Sequence, residues 1–191
     1  PGPPKVPSEQ EPVLRVRAAV NRVQQMRRVL DPILRQEGVP PELSAVVLVE
    51  SGGQLTALSS KGARGPWQFM PETARRYGLA VTAGTDERIE IEKSTHAAAR
   101  YLRDLHQRFG DWQVALAAYN AGEQTVEQAM ARLGERDFPA IQRALPQETR
   151  AYVPAVFAAI AALGGKHGAA LGTVRRGDRR RVLYASSQAE D

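Results

Sequence analysis

From Val13 to Leu163 apolar residues return every three or four positions in one segment after another, and each segment is opened by a proline or closed by a glycine. A chain written this way folds into helices and has little material for sheets. The first segment, residues 13–37, places Val16, Ala19, Val20, Val23, Met26, Val29, Leu30, Ile33 and Leu34 at helical spacing, and Gly38 can end it. Pro32 lies inside it, an expected kink or split. Pro40 and Pro41 open a second helix, residues 42–51, whose middle is the nearly continuous apolar run 45–49. Such a helix is buried on most sides. Further helices are expected at 71–78, at 91–109 with Ala98, Tyr101, Leu102, Leu105 and Phe109 on one face, from Trp112 to a break at Gly122, at 124–133, and at 147–163 with an interruption at Pro154. Strand alternation is confined to a marginal run at 182–185. The expectation is an all-α fold of seven to nine short and medium helices.

Composition narrows the classes. At 191 residues, with 42% hydrophobic and 25% charged residues, the chain has the balance of one globular domain. No apolar stretch reaches the roughly 18 residues that cross a bilayer. With no cysteine, disulfides, thiol nucleophiles and thiolate metal sites are excluded from this sequence. His96, His106 and His167 lack ligand partners at suitable spacing, so no metal and no cofactor are expected. Residues 1–7 show no basic segment followed by an apolar one, and are not read as a signal peptide. The net charge of +5 is concentrated at Arg175, Arg176, Arg179, Arg180 and Arg181. Without interleaved aromatics that run reads as a solvated tail, and nucleic acid is not an expected partner. Three regions are expected: an extension and helix at 1–39, a catalytic domain at 40–164, and a basic tail at 165–191.

Glu50 carries the chemistry. A carboxyl directly after Ala-Val-Val-Leu-Val sits where desolvation disfavours its charged form, and the negative end of a helix dipole acts in the same direction. A carboxyl that keeps its proton near neutrality can protonate a departing glycosidic oxygen. Taken alone, the residue reads more readily as the polar end of a helix, capped by water or an arginine. Two further segments give it company. Residues 59–71, Ser-Ser-Lys-Gly-Ala-Arg-Gly-Pro-Trp-Gln-Phe-Met-Pro, combine close-approach glycines with Gln68, which can hydrogen-bond hydroxyl and N-acetyl groups, and with Trp67 or Met70 as an apolar wall. Residues 117–122 put Tyr119 and Asn120 together at a helix end. Glu72 reads as helix N-terminal charge, and Asp86, Glu87 and Glu123 as solvated polar faces, so no second carboxylate has a setting like that of Glu50.

The ordered set Glu50-Ser51, then Gly62-x-x-Gly65-x-x-Gln68-Phe69-Met70-Pro71-x-Thr73-Ala74, then Ala118-Tyr119-Asn120-Ala121-Gly122, resembles the three signature motifs of the soluble lytic transglycosylase (SLT) family, which is related in fold to goose-type lysozyme. Trp67 before Gln68, and the later stretch Leu145-Pro146-Gln147-Glu148-Thr149-Arg150-x-Tyr152-Val153-Pro154, are similar to the membrane-bound D-type subgroup. Gly52-Gly53 departs from the larger residues that often follow Glu-Ser in that family. The resemblance spans about Pro40 to Leu163 and implies a lysozyme-like helical domain with a sugar-binding cleft. It implies Glu50 as the one catalytic acid/base, cleaving the bond between N-acetylmuramic acid and N-acetylglucosamine with formation of a 1,6-anhydro end. Ser59, Gln68, Met70 and Tyr119 would line the cleft, with Asn120 beside them holding the local turn. The implied partners are peptidoglycan glycan strands together with envelope or secretion-apparatus proteins, and the implied location is the periplasm or cell envelope of a bacterium. A hydrolytic lysozyme on the same fold and a noncatalytic peptidoglycan-binding module are the alternatives.

Overall fold

The computed structural model describes residues 10–165 and Leu171, and among these it contains eight α-helices, three short 3₁₀ turns and no β-strand. The tail arginines, His167 and the marginal strand at 182–185 lie outside the described residues.

Helix α1, Gln10–Gln36, is continuous through Pro32. The expected split does not occur. A proline costs a helix one hydrogen bond, and here tertiary contacts on either side outweigh that loss: Leu30, Ile33 and Leu34 are buried, and Arg27 donates both to Asp31 and, at 3.0 Å, to the carbonyl of Leu163, just past the last helix of the described residues. Gly38, at φ 76°, lets the chain reverse. A 3₁₀ turn at Pro41–Ser44 then leads into α2, Ala45–Ser51, so the segment expected as one helix from 42 is a tight turn followed by a short α-helix. Ala45, Val46 and Val47 are fully buried, as a helix apolar on all sides must be.

α3 (Pro71–Arg76) starts on its proline. α4 (Ile91–Phe109) turns Ala98, Tyr101, Leu102 and Leu105 inward, and α5 (Trp112–Ala121) is capped by Asp111, whose carboxylate accepts from the Val114 amide at 2.9 Å. Residues 114–118 of α5 are all inaccessible, which makes α5 the centre of the core. α6 (Glu123–Leu133) and the short α7 (Phe138–Ile141) follow, the latter in a stretch where no helix was expected. α8 (Gln147–Ala162) runs unbroken through Pro154, again against expectation. It packs on both α2 and α5, and its buried Val153, Val156 and Phe157 hold it there. No helix of the described residues is long and apolar enough to cross a membrane.

Candidate active site

Glu50 sits in the last turn of α2, whose end is closed by Gly52 in the left-handed conformation (φ 58°). Its side chain keeps some access to solvent while protein surrounds it on the other sides. Tyr152 of α8 donates its hydroxyl proton to Glu50 Oε1 at 2.6 Å. Burial pushes the Glu50 carboxyl up to about 7; the Tyr152 hydrogen bond opposes that shift, and the charge of Glu148, exposed on the first turn of α8, adds to it. Tyr119 and Tyr152 are both raised well above the usual phenol range by burial and by the nearby Glu50 charge, so both remain protonated donors at any ordinary pH.

A loop at residues 52–70 covers the end of α2. Ser51, buried, joins the two: its hydroxyl donates to the Pro66 carbonyl at 2.9 Å and accepts from the Gly53 amide at 3.1 Å. The loop is folded on itself by paired bonds between Arg64 and Phe69 (3.0 and 3.1 Å) and by Ser59, which receives the Ala63 amide on its hydroxyl at 3.0 Å. From beneath, Arg88 holds it. This guanidinium is 6% exposed, donates to the carbonyls of Gly62 (2.8 Å) and Phe69 (2.9 Å), and is neutralised by Asp86. Gly65 lies so close to this support that a Cβ added to it would stand 1.9 Å from the Arg88 carbonyl oxygen.

The residues singled out from the sequence divide by what they touch. Tyr119 donates its hydroxyl to the Trp67 carbonyl at 2.8 Å and so fixes the loop against α5. Gln68 takes the left-handed conformation (φ 51°), rare without a glycine, and its amide nitrogen donates to the carbonyls of Gly65 (2.8 Å) and Ala57 (3.2 Å). Met70 is 44% exposed at the loop's edge, with Leu58 and Leu55 as further exposed apolar residues of the same loop. Asn120 accepts from the Thr149 hydroxyl at 2.8 Å, tying the end of α5 to the start of α8 across the chain rather than closing a local turn. Trp67 is not a wall of the cleft: it is wholly buried and donates its indole proton to Thr95 at 2.9 Å. A buried indole N–H needs such a partner, and α4 supplies it.

The other carboxylates expected on solvated faces are instead engaged. Asp86 is held below the ordinary range by the hydrogen bond from Arg88, and Glu87 by the Ala80 amide and by Lys93. At Glu123 burial works upward, but the hydrogen bond from Arg76 at 2.6 Å outweighs it and the carboxyl is lowered. All three are committed anions, while Glu50 keeps its proton up to about pH 7. Glu72 remains exposed in the first turn of α3, as its position suggested. Two positions that matter carried no role in the sequence reading. Tyr152 stood in a recognised stretch without an assigned contact, and Arg88 gave no signal, since the loop carbonyls it supports are distant in sequence. Among the described residues no group of His, Asp and Glu could hold a metal ion; His96 pairs with Glu37 and His106 stacks on Trp112.

A helical fold with one apolar-bound carboxyl at a helix end, roofed by a glycine-rich loop, defines the lysozyme-like class. Residues 30–141 match the model of the transglycosylase SLT domain, and the chain belongs to that family. It is 39% identical over 130 residues to membrane-bound lytic murein transglycosylase D of Escherichia coli K12, a match covering 65% of this chain and 28% of that protein. Among solved structures it resembles an inactive mutant of lytic transglycosylase Slt from Pseudomonas aeruginosa (TM-score 0.62, 30% identity, 72% of this chain and 24% of that one). The 70 kDa soluble lytic transglycosylase of Escherichia coli shares the fold at TM-score 0.64 and 24% identity, over 83% of this chain and 31% of that one. The chain thus spans less than a third of the length of each of these proteins.

Proposed function

We propose that this chain is the catalytic domain of a peptidoglycan lytic transglycosylase, with residues 40–164 as the catalytic unit and Glu50 as its acid and base. Glu50 gives its proton to the oxygen linking N-acetylmuramic acid to N-acetylglucosamine as the C1–O bond breaks. The carboxylate then takes the proton of the muramic C6 hydroxyl, whose oxygen bonds to C1 and closes a 1,6-anhydro ring. No water is consumed. Ser59, Gln68, Met70, Tyr119 and Asn120 form and hold the groove beside the acid, and Tyr152 aims it. Acting on peptidoglycan, the domain works in the cell envelope, in the periplasm where the glycan strands lie.

The observation that carries this reading is that Glu50, set at a helix end against Tyr152, is the one carboxyl among the described residues to be raised, to about 7, while Asp86, Glu87 and Glu123 are held as paired anions. A hydrolase with two carboxylates would place a second one roughly 5 to 9.5 Å from the first. The acid whose charge acts on Glu50 is Glu148, which is exposed. Mass spectrometry of products released from purified sacculi tests the distinction. Muropeptides lighter by one water than hydrolysis products are expected; fully hydrated reducing ends would refute the transglycosylase reading.

The pH dependence follows from the same group. Because Glu50 must enter the reaction protonated, kcat/KM falls as pH rises through about 7. Tyr152→Phe removes the hydrogen bond that favours the carboxylate, so this fall moves to higher pH. The rate at the optimum drops by about tenfold or more, since a bond to a group that ionises is worth about 1.5–3 kcal/mol and also orients it. A pH–rate profile of the variant checks both: a limb that stays in place or moves to lower pH contradicts the contact's role.

A further inference from the structure

Residues 10–29 of α1 precede the stretch matched to the family, yet they form the wall against which the Glu50 end of α2 is set. Arg22 Nε donates to the Gly52 carbonyl at 2.8 Å. A Cβ on Gly52 would stand 3.3 Å from the Ala19 Cβ, and one on Gly53 would stand 3.0 Å from Val23 Cγ2 and 3.1 Å from Met26 Sδ. The two glycines that replace larger residues after Glu-Ser take positive φ (58° and 79°), and α1 passes directly over both. Their own amides donate back into α2, Gly52 to Leu48 at 3.1 Å and Gly53 to Val47 at 3.3 Å.

We infer that α1 is the seat of the catalytic helix end, and that Arg22 is a positioning residue for Glu50. This rests on the reading of Glu50 as the acid. The physical reason is that a helix of seven residues has no stability of its own to fix its final turn, and its last carbonyls lack partners within the helix. Arg22 supplies one such partner, and its positive charge suits that negative helix end. The contact is exposed and modest as a contribution to folding. Its leverage is geometric: Gly52 is joined to Glu50 through Ser51 alone, and reactivity falls steeply when a catalytic group is displaced. Ser51 passes any shift of the turn to the loop as well, through its bonds to Pro66 and Gly53.

Four proteins test this: wild type, Arg22→Ala, Arg22→Lys and, as a control on the same helix, Arg28→Ala, which alters an exposed residue away from the turn. On soluble glycan strands Arg22→Ala is expected to lose about tenfold in kcat with KM unchanged. Its Tm stays within about 2 °C of wild type, because the packing of buried Val23 and half-buried Met26 remains. Arg22→Lys recovers part of the loss and Arg28→Ala shows none. Hydrogen exchange at the Gly52 and Gly53 amides rises about tenfold in Arg22→Ala alone, a local readout that general destabilisation does not give. The inference is overturned if kcat of Arg22→Ala stays within about twofold of wild type, if the two amides keep their protection, or if the rate loss tracks a fall in Tm. Should wild type itself release no product, the functional reading fails, while exchange at the two amides still decides whether Arg22 holds the turn.

Discussion

Glu50→Gln is expected to abolish cleavage of peptidoglycan and, at the same time, to make the protein more stable in mildly alkaline solution. The first effect follows from chemistry. Glutamine has no proton to give the glycosidic oxygen, and general acid–base catalysis alone is worth about 10²–10⁴-fold. In the proposed mechanism one group serves both halves of the reaction, so the loss lies at or beyond the upper end. The second effect follows from linkage. The carboxyl is raised from 4.5 to about 7, so between those values the folded protein holds a proton that the unfolded chain releases. Stability therefore declines as pH rises across that window and stays low above it. The full shift corresponds to about 3 kcal/mol, and solvent access to Glu50 makes that an upper bound. Glutamine escapes this cost and can still accept the Tyr152 proton on its amide oxygen. Near pH 8 the variant should melt about 3–8 °C above wild type, and near pH 4.5 the two should coincide. Calorimetry at both pH values, with product analysis alongside, decides the matter. An equal Tm difference at both would mean the carboxyl is not raised, and persistent turnover would mean that another group is the acid.

Gly65→Ala is the second large effect. At φ 85° an L side chain is strained by about 1–2 kcal/mol, and the added methyl would stand 1.9 Å from the backbone oxygen of Arg88. Backbone cannot swing aside as a side chain can. Overpacking of this kind costs about 1–3 kcal/mol more, and the total is expected to reach about 2–5 kcal/mol. The loop must then leave Arg88, and with it go the Trp67 carbonyl that receives Tyr119 and the Pro66 carbonyl that receives Ser51. Activity should be lost even where helix content survives. Gly62→Ala is the control: its φ is 89°, but nothing lies within 4 Å of an added Cβ, so it should show the strain alone. Urea denaturation of both variants separates the two contributions. If they are destabilised equally, contact with Arg88 is not what holds the loop.

Much of this molecule is legible one segment at a time. The helices at 91–109 and from Trp112 to the break at Gly122 announce themselves by period and by their stops, because burial of one face is a local pattern. Glu50 is legible for the same reason, as a charge written directly after an apolar run. What fails is what depends on residues far along the chain. Pro32 and Pro154 look like breaks, yet each helix is held on both sides of its proline by packing that sequence spacing does not reveal. Trp67 reads as a groove wall until Thr95, 28 positions away, is seen to receive its proton. Asp86 and Glu123 read as solvated until Arg88 and Arg76 are found against them. Tyr152 reaches Glu50 across 102 residues, and a pairing so remote leaves no periodic trace.

The brevity of α2 also bears on when Glu50 acquires its unusual affinity for a proton. Seven residues detached from their surroundings do not stay helical in water, and an unprotected Glu50 would ionise at its ordinary 4.5. A nascent or half-assembled chain then carries an inert anion at that position. Only when the surrounding helices have closed around it is the carboxyl raised to about 7, so on the proposed reading completion of folding is itself the step that arms the reagent.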